Sequence, residues 1–379
     1  MDFCNEIGEH LQKTVDGLNG RNRKSLWLKE ETKSGRMSYE DIVDASIMPI
    51  IQGIQQRATL VDVACSIGHK LRNKRSLKID THAALSGGLI ILECFAKIDF
   101  LGTKRTFING KNKKRKKHPV YHLFVKDNDS YEKLLESMVE REVEETPLSE
   151  PAKDWEFGFS EETGDGIIRH GNIKALKSFN KETNGYTINA LNKLQRTGYT
   201  INDRVLEVYI KCMNLTGKSP FKHAKEDKQE SRASMLLEAK AIRDLSKKNL
   251  NNTFYHRYNC DFRGRIYPGT AFLHEQSSDN AKGLLCYDYS VALGQHGAYY
   301  LAIHTANCIG QDKLPLDGRV DYINDNMEEI CSWAEDPMVN TGWMDADKSW
   351  SALAAAFEWL AIDQWVNSCL LYTSPSPRD

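Results

Sequence analysis

The sequence predicts a mainly α protein with a small β component, an α+β fold. Apolar residues recur at helical spacing through most of the chain, as at Leu60, Ala64, Ile67 and Leu71. Strand and hairpin signals are confined to a few short stretches, such as residues 266–267. The 379 residues, 40% of them hydrophobic, are enough for two or three domains with a globular core.

The overall charge does not indicate a nucleic-acid-binding protein. The chain carries 51 Lys and Arg against 52 Asp and Glu, a formal net charge of -1, so any phosphate binding must come from local basic patches. Its nine cysteines form no Cys-x-x-Cys pair, which argues against a zinc ribbon and a disulfide framework and fits a reducing cytoplasm. No apolar run is long enough to span a bilayer, so we expect no membrane partner.

The N-terminal third is predicted to be helical after a polar start. Residues 1–37 form a polar, charged segment interrupted by glycines. A helix begins around Ser38, with acidic residues in its first turn, and Pro49 interrupts or kinks it. Further core helices are predicted from Thr59 to Leu71 and over 82–100.

Two neighbouring segments carry opposite charge. Residues 104–118 hold eight Lys or Arg and no acid, and Asn109-Gly110 predicts a basic hairpin over 104–125. Its tip can grip phosphates or be a solvated charge run, and both interpretations are open. Residues 131–165 hold twelve acids against three basic residues, with a helix predicted over 132–145, and should not contact a phosphate backbone.

A helix predicted over residues 231–249 is a second candidate for nucleic-acid contact. Met235, Ala239 and Ile242 mark its core face. Residues 211–250 contain ten basic and five acidic residues, and an ordinary amphipathic surface helix or a face directed at phosphates would explain them. The basic residues near one another on a different face of this helix are Arg232, Lys240, Arg243 and Lys247.

Helices are also predicted over residues 295–309, 317–334 and 349–366. His304 and Cys308 are spaced i, i+4, which suits a metal in principle. No second ligand pair with zinc spacing lies nearby, so we name no metal ligand.

The densest group of functional residue types lies in Tyr258-Asn259-Cys260-Asp261-Phe262-Arg263-Gly264-Arg265-Ile266-Tyr267-Pro268. Arg263 and Arg265 are two apart, so in an extended chain they leave the same face. The planar arginine fork suits paired contacts to phosphate oxygens, and Gly264 permits close approach of a ligand or backbone. The simpler interpretation is a hairpin edge with a surface ion pair between Asp261 and an arginine.

This motif and two further blocks resemble the single-subunit, phage- and mitochondrial-type DNA-directed RNA polymerases. The run Asp261-Phe262-Arg263-Gly264-Arg265 is similar to the family's Asp/Thr-x-x-Gly-Arg element. The blocks DNAKGLL (279–285) and HTANCIGQDKLP (304–315) follow in the family's order. The resemblance extends over about residues 40 to 368 and implies a helical N-terminal domain and a thumb, leading into the truncated start of a right-hand palm.

The resemblance implies a domain order along the chain. The expected segments are a polar N-terminal segment (1–37), a helical N-terminal domain with the basic hairpin (38–187), thumb-like helices (188–250), the start of the palm (251–290), palm insertion helices (291–368) and a non-native tail (369–379). The tail resembles a translated sequencing-library adapter. A genuine disordered Ser/Pro tail is the alternative.

By the same resemblance, the chain would take part in template-dependent nucleotidyl transfer. Lys313 and Asp312 would approach the incoming nucleoside triphosphate. The complete enzyme would use two Mg²⁺ ions held by aspartates that lie beyond Ser368, so we name no catalytic residue and expect the fragment alone to be inactive. The residues expected to bind the template or the RNA–DNA hybrid are Asp261, Arg263, Arg265, Tyr267 and Lys282, joined by Arg232, Lys240 and Arg243 of the basic helix.

The expected partners are a DNA template, an RNA transcript and nucleoside triphosphates, with a second polymerase subunit or a promoter factor as further possibilities. A phage-encoded protein would act in the host cytoplasm. Two alternatives stay open: a non-catalytic, nucleic-acid-binding subunit of a split polymerase, and a helical nucleic-acid-binding module with no link to polymerases.

Overall fold

The computed structural model describes residues 3–19, 24–74, 77, 79–108, 118–126, 128–140, 145–160, 166–168, 171–215, 219–221 and 229–373. Helices dominate these residues, and the strands are short, which confirms the predicted fold class. The helices are α1 (Phe3–Asp16), α2 (Leu26–Lys33), α3 (Tyr39–Gln56), α4 (Leu60–Lys74), α5 (Thr81–Lys97), α6 (Asn128–Glu140), α7 (Ile173–Leu176), α8 (Lys181–Gln195), α9 (Asp203–Cys212), α10 (Gln229–Lys248), α11 (Asp279–Lys282), α12 (Gly294–Ile309), α13 (Leu316–Asp325), α14 (Met327–Glu335) and α15 (Ser349–Thr373). The strands are β1 (Leu101–Ile108), β2 (His118–Val125), β3 (Tyr199–Ile201), β4 (Tyr258–Cys260), β5 (Ile266–Pro268) and β6 (Leu285–Tyr287).

The strands form three separate antiparallel pairs: β1 with β2, β3 with β6, and β4 with β5. The first pair is the predicted basic hairpin, in register from Leu101 opposite Val125 to Ile108 opposite His118. Its predicted tip, including Asn109-Gly110, lies outside the described residues.

The chain divides into two compact units that are interleaved along the sequence. The first unit comprises Met1–Thr146, Lys153–Gln195 and Arg257–Thr270, and the second comprises Pro147–Ala152, Arg196–His256 and Ala271–Asp379. The domains expected from the sequence are consecutive segments and are not equivalent to these two units. Their boundaries therefore stay predictions.

In the first unit, α4 and α5 pack closely through glycines on both helices. A Cβ atom on Gly68 would lie 2.0 Å from the carbonyl oxygen of Ala84, and one on Gly88 would lie 1.9 Å from that of Ala64. The lack of a side chain at Gly68 and Gly88 therefore allows α4 and α5 to approach this closely. Within the polar segment expected over residues 1–37, α1 has one buried face, formed by Ile7, Leu11 and Val15.

Three other helices differ from their predicted bounds. Helix α3 continues through Pro49 to Gln56, because the surrounding apolar residues are buried and their packing outweighs the cost of an interior proline. The single helix predicted over 317–334 is two helices, α13 and α14, that meet at Asn326. Helix α15 runs to Thr373, beyond the predicted end and into the first residues of the expected tail.

The second unit has a core of large aromatic rings. The Tyr209 ring lies 4.7 Å from that of Trp350, and the Phe221 and Trp343 rings lie 5.3 and 5.2 Å from the same indole. Burial, chiefly, raises the pKa of Tyr209 well above its ordinary value, and its hydroxyl donates to the carbonyl oxygen of Ala239 on α10. Within the described part of the chain, no helix has the combined length and apolarity that crossing a bilayer requires.

Candidate nucleic-acid interface

The Asp261–Arg265 motif forms the turn of the hairpin between β4 and β5. The amide of Asp261 donates to the carbonyl oxygen of Arg265 at 2.8 Å, and the amide of Gly264 donates to that of Asp261 at 3.0 Å. Gly264 has a φ of +79°, a left-handed conformation that favours glycine. The conformation of the turn therefore explains the glycine of the motif.

A buried core of the first unit holds this hairpin in place. The indole nitrogen of Trp155 donates to the carbonyl oxygen of Tyr258 at 3.0 Å, and the amide of Tyr258 donates to Gln195 at 3.2 Å. The amide of Cys260 donates to the carbonyl oxygen of Ile167 at 2.7 Å. These anchors were not predicted from the sequence, although Trp155, a tryptophan in an otherwise acidic segment, was a usable signal.

Asp261 closes the turn through its carboxylate. One oxygen accepts from the amides of Arg263 and Arg265 at 2.8 and 2.9 Å. The other accepts from the Arg263 guanidinium at 3.0 Å. Partial burial raises the pKa of Asp261, but the hydrogen bonds from Arg265 and Arg263 outweigh that effect, so the pKa lies below its ordinary value.

The two arginines of the motif do not share an environment. The expectation that they leave the same face of an extended chain is wrong, because residues 262–264 form a turn and β5 begins only at Ile266. Arg263 pairs with Asp261 and lies 5.3 Å from the centre of the exposed Phe262 ring. The simpler interpretation, a surface ion pair, therefore holds for Arg263.

Arg265 is exposed at the surface of the hairpin. No described residue accepts a hydrogen bond from its guanidinium, whereas its main chain is fixed by Asp261 at both the amide and the carbonyl. Tyr267 is half-buried in β5, opposite Asn259. Among the described residues, the Arg265 guanidinium thus has no acceptor, and it stands on a fixed backbone.

Lys282 is exposed at the end of the short helix α11, which is held against the start of α15. The carboxylate of Asp279 accepts from the amides of Trp350 and Ser351 at 2.8 and 3.2 Å, and from the Ser351 hydroxyl at 2.6 Å. These bonds satisfy free amides of the first turn of α15. A Cβ atom on Gly283 would lie 2.6 Å from the carbonyl oxygen of Trp350, so this glycine allows close packing.

Asp312 and Lys313 are both exposed in the loop between α12 and α13. Arg319 holds this loop: its guanidinium donates to the carbonyl oxygen of Leu314 at 2.9 Å, to the side chain of Asn307 at 2.8 Å and to the carbonyl oxygen of Asp312. Arg319 was not predicted from the sequence, because its role depends on the path of the loop.

The basic helix α10 is a weaker candidate than its sequence indicates. Its predicted core face is buried at Ala239 and Ile242. Arg243, expected to face phosphates, is half-buried and pairs with Asp244 at 2.7 Å. Lys240 is half-buried, and the side chain of Arg232 lies outside the described residues. Lys247 and Lys248 are exposed at the end of α10.

The predicted binding residues fall into both compact units. The first unit contains Asp261, Arg263, Arg265 and Tyr267, and brings them together on the β4–β5 hairpin. The second unit contains the remaining predicted residues, namely Arg232, Lys240, Arg243, Lys282, Asp312 and Lys313.

His304 and Cys308 contact each other on α12, with 3.7 Å between Nε2 and Sγ. Burial, chiefly, raises the pKa of Cys308 to about 11, and burial followed by Lys348 lowers that of His304. Both groups are therefore neutral at neutral pH. In the described ranges, no three His, Cys, Asp or Glu side chains form a group that could hold a metal ion.

Comparison with known proteins shows which proteins parts of this chain resemble. The family described as DNA-dependent RNA polymerase matches residues 291–377, which include the 304–315 block and its Asp312-Lys313 loop. The chain is 35% identical to T7 RNA polymerase of Escherichia phage T7 over 136 residues, covering 36% of this chain and 15% of that protein.

Mitochondrial proteins match as well. The mitochondrial DNA-directed RNA polymerase of Neurospora crassa is 28% identical over 259 residues, covering 56% of this chain and 18% of the relative. That of Schizosaccharomyces pombe is 38% identical over 116 residues, covering 30% of this chain and 10% of the relative. The aligned part of this chain thus covers less than a fifth of the length of each of these relatives. On these matches, part of the chain is similar to the DNA-directed RNA polymerases of phages and mitochondria.

Proposed function

We propose that this chain is the part of a DNA-directed RNA polymerase that binds the backbone of the template or of the RNA–DNA hybrid. Arg265 is the residue that carries the proposal. Its guanidinium is exposed and has no acceptor among the described residues, while Asp261 fixes its main chain. A fixed backbone lowers the conformational entropy lost when such a side chain binds a phosphate.

Arg263 has a different role in this proposal. Because the Arg263 guanidinium already donates to a carboxylate oxygen of Asp261, Arg263 supports the turn and adds less to nucleic-acid binding. Asp261 orients the main chain of the turn and thereby Arg265. An A-form hybrid suits this arrangement, since its backbone and 2′-hydroxyl groups, rather than its base sequence, are what a protein can read.

Lys313 and Asp312 would approach the incoming nucleoside triphosphate. The exposure of Lys313, and the loop geometry fixed by Arg319, support this role. A cation placed on a triphosphate stabilises the charge that develops during nucleotidyl transfer. Lys282, exposed at the end of α11, would follow the nucleic-acid backbone.

The complete enzyme would carry two Mg²⁺ ions that clamp the attacking and leaving oxygens. The described residues do not fit such a site, because they contain no suitable group of three ligands, and we assign no metal ligand to them. We place the protein in the cytoplasm, that of the host cell if a phage encodes it.

Binding measurements with this chain test the proposal. A fluorescein-labelled RNA–DNA hybrid and a DNA duplex of the same sequence are titrated with the chain, and anisotropy is followed at several salt concentrations. We expect tighter binding to the hybrid and an affinity that falls as salt rises. Equal affinity for both would favour a general nucleic-acid-binding module.

A primer-extension assay separates the polymerase from the alternative subunit of a split enzyme. A protein that contains this chain and extends an RNA primer on a DNA template by itself is a polymerase. If extension requires a second polypeptide that supplies the metal ligands, the chain is the nucleic-acid-binding subunit.

A further inference from the structure

A row of aromatic rings in the second unit runs from the core to the surface. The rings of Phe254 and Tyr199 lie 6.1 Å apart, those of Tyr199 and Tyr287 5.5 Å apart, and those of Tyr287 and Tyr289 5.7 Å apart. Successive rings are tilted by 28°, 28° and 30°, so each lies roughly parallel to the next. Tyr199 is 6% exposed, whereas Tyr287 and Tyr289 are 59% and 62% exposed.

The inner part of the row is held by strand pairing. Tyr199 exchanges two main-chain hydrogen bonds with Phe254, at 2.8 and 2.9 Å, and lies opposite Tyr287 in the β3–β6 pair. His256 packs 5.0 Å from the Tyr199 ring. Burial, followed by His274, lowers the pKa of His256 to about 3, so its ring is neutral and packs as an aromatic group. The exposed rings thus stand on a rigid base.

Asp288 lies between the two exposed tyrosines in the sequence. The amide of Asp288 donates to the carbonyl oxygen of Gly198 at 3.0 Å, which fixes the backbone between the two exposed tyrosines. The Asp288 carboxylate lies against Gly198, where a Cβ atom would be 2.1 Å from its oxygen.

A basic residue lies within reach along the chain. Lys282 is exposed and precedes Tyr287 by five residues, so their Cα atoms are at most about 18 Å apart. A strand of nucleic acid whose backbone follows Lys282 could therefore place a base on the tyrosines. Stacking on aromatic side chains beside a basic groove is the usual mode of single-strand binding.

We propose that Tyr287 and Tyr289 form a stacking platform for the bases of a single-stranded nucleic acid. This inference rests on the proposed function, since it names a further binding site for the same class of ligand. The base would stack on Tyr289, the outermost ring of the row, and the neighbouring ring of Tyr287 lies 5.7 Å from it.

The test compares Tyr289→Leu with Tyr289→Phe in the full chain, with fluorescein-labelled oligo-deoxyadenylate as the probe and anisotropy as the readout. Leucine keeps an apolar side chain but removes the flat ring, and phenylalanine keeps the ring. We expect the leucine variant to lose about tenfold in affinity and the phenylalanine variant to stay near the wild type. Tyr186→Leu, which removes a 98% exposed tyrosine of the first unit, is the matched control and should bind normally.

The salt dependence separates stacking from phosphate contact. Tyr289→Leu should raise the dissociation constant without changing the slope of its logarithm against the logarithm of salt concentration, because no phosphate contact is lost. Equal affinities of the wild type and Tyr289→Leu for the oligonucleotide would overturn the platform. If the wild type binds the hybrid but Tyr289→Leu has no effect, the platform alone fails. If the wild type binds neither ligand, the proposed function fails with it.

Discussion

The carboxylate of Asp261 binds the main chain of Arg265, not its guanidinium, with 2.9 Å between Oδ1 and the amide nitrogen. An acid four residues before an arginine commonly suggests an ion pair. Here the acid fixes the turn, pairs with Arg263 and leaves the second arginine exposed. The structural and binding roles of the motif are therefore divided between its members.

The ionised form of Asp261 should stabilise the first unit. Its pKa is lower in the folded chain than in the unfolded chain, so its contribution is complete above about pH 4 and is lost as the pH falls through the folded value. We expect Asp261→Asn to be less stable than the wild type at neutral pH, and the difference to shrink in acid. Urea unfolding at a series of pH values measures it. A difference that grew as the pH fell would contradict this assignment.

Asp279 should stabilise the second unit as an N-terminal cap supplied to α15 by a distant segment. Asp279→Ala leaves the amides of Trp350 and Ser351 without that acceptor and should cost about 1–2 kcal/mol in the free energy of unfolding. Asp279→Asn keeps an acceptor oxygen and should lose less. Urea unfolding monitored by tryptophan fluorescence measures both, and an alanine variant as stable as the wild type would rule out the capping role.

Gly283 should be required for packing. Gly283→Ala places a methyl group 2.6 Å from the Trp350 carbonyl oxygen, and the resulting strain should cost about 1–3 kcal/mol. Gly318→Ala is the matched control in the same unit, since its nearest neighbour would lie at an ordinary 3.6 Å. Thermal unfolding of the two variants gives the comparison. Equal melting temperatures of Gly283→Ala and Gly318→Ala would show that the contact between α11 and α15 accommodates the added methyl group without loss of stability.

Variants of Arg319 and Lys313 should distinguish the stability of the loop between α12 and α13 from its role in nucleotide binding. Arg319→Ala removes three hydrogen bonds to the loop and should cost about 2 kcal/mol of unfolding free energy. Lys313→Ala removes an exposed side chain and should stay within about 0.5 kcal/mol of the wild type. Both should weaken the binding of a fluorescent nucleoside triphosphate. Unchanged nucleotide binding by Lys313→Ala would contradict the proposal that this loop contacts the incoming nucleoside triphosphate.

Local patterns in the sequence predicted much of the fold and part of the site. Helical spacing identified the buried face of α10, and the Asn-Gly signal identified the β1–β2 hairpin. The surface ion pair between Asp261 and an arginine followed from the charges within the motif. These features depend on neighbours within a few residues, which a single sequence displays directly.

Contacts between distant segments could not be predicted in the same way. Trp155 binds the main chain of a residue 103 positions away, and Asp279 caps a helix 71 positions away. Local spacing carries no information about which segments pack together. The expectation of a shared face for Arg263 and Arg265 was wrong for a related reason, because it assumed a strand where Asp261 stabilises a turn.

The affinity of Arg265→Ala for a labelled RNA–DNA hybrid, measured beside that of Arg263→Ala, tests the central claim most directly. We predict that Arg265→Ala binds about tenfold more weakly than the wild type and reduces the salt slope by about one, as loss of one phosphate contact requires. Arg263→Ala should lose less affinity, because its guanidinium is already paired with Asp261. Wild-type affinity and salt slope in a folded Arg265→Ala variant would contradict the account.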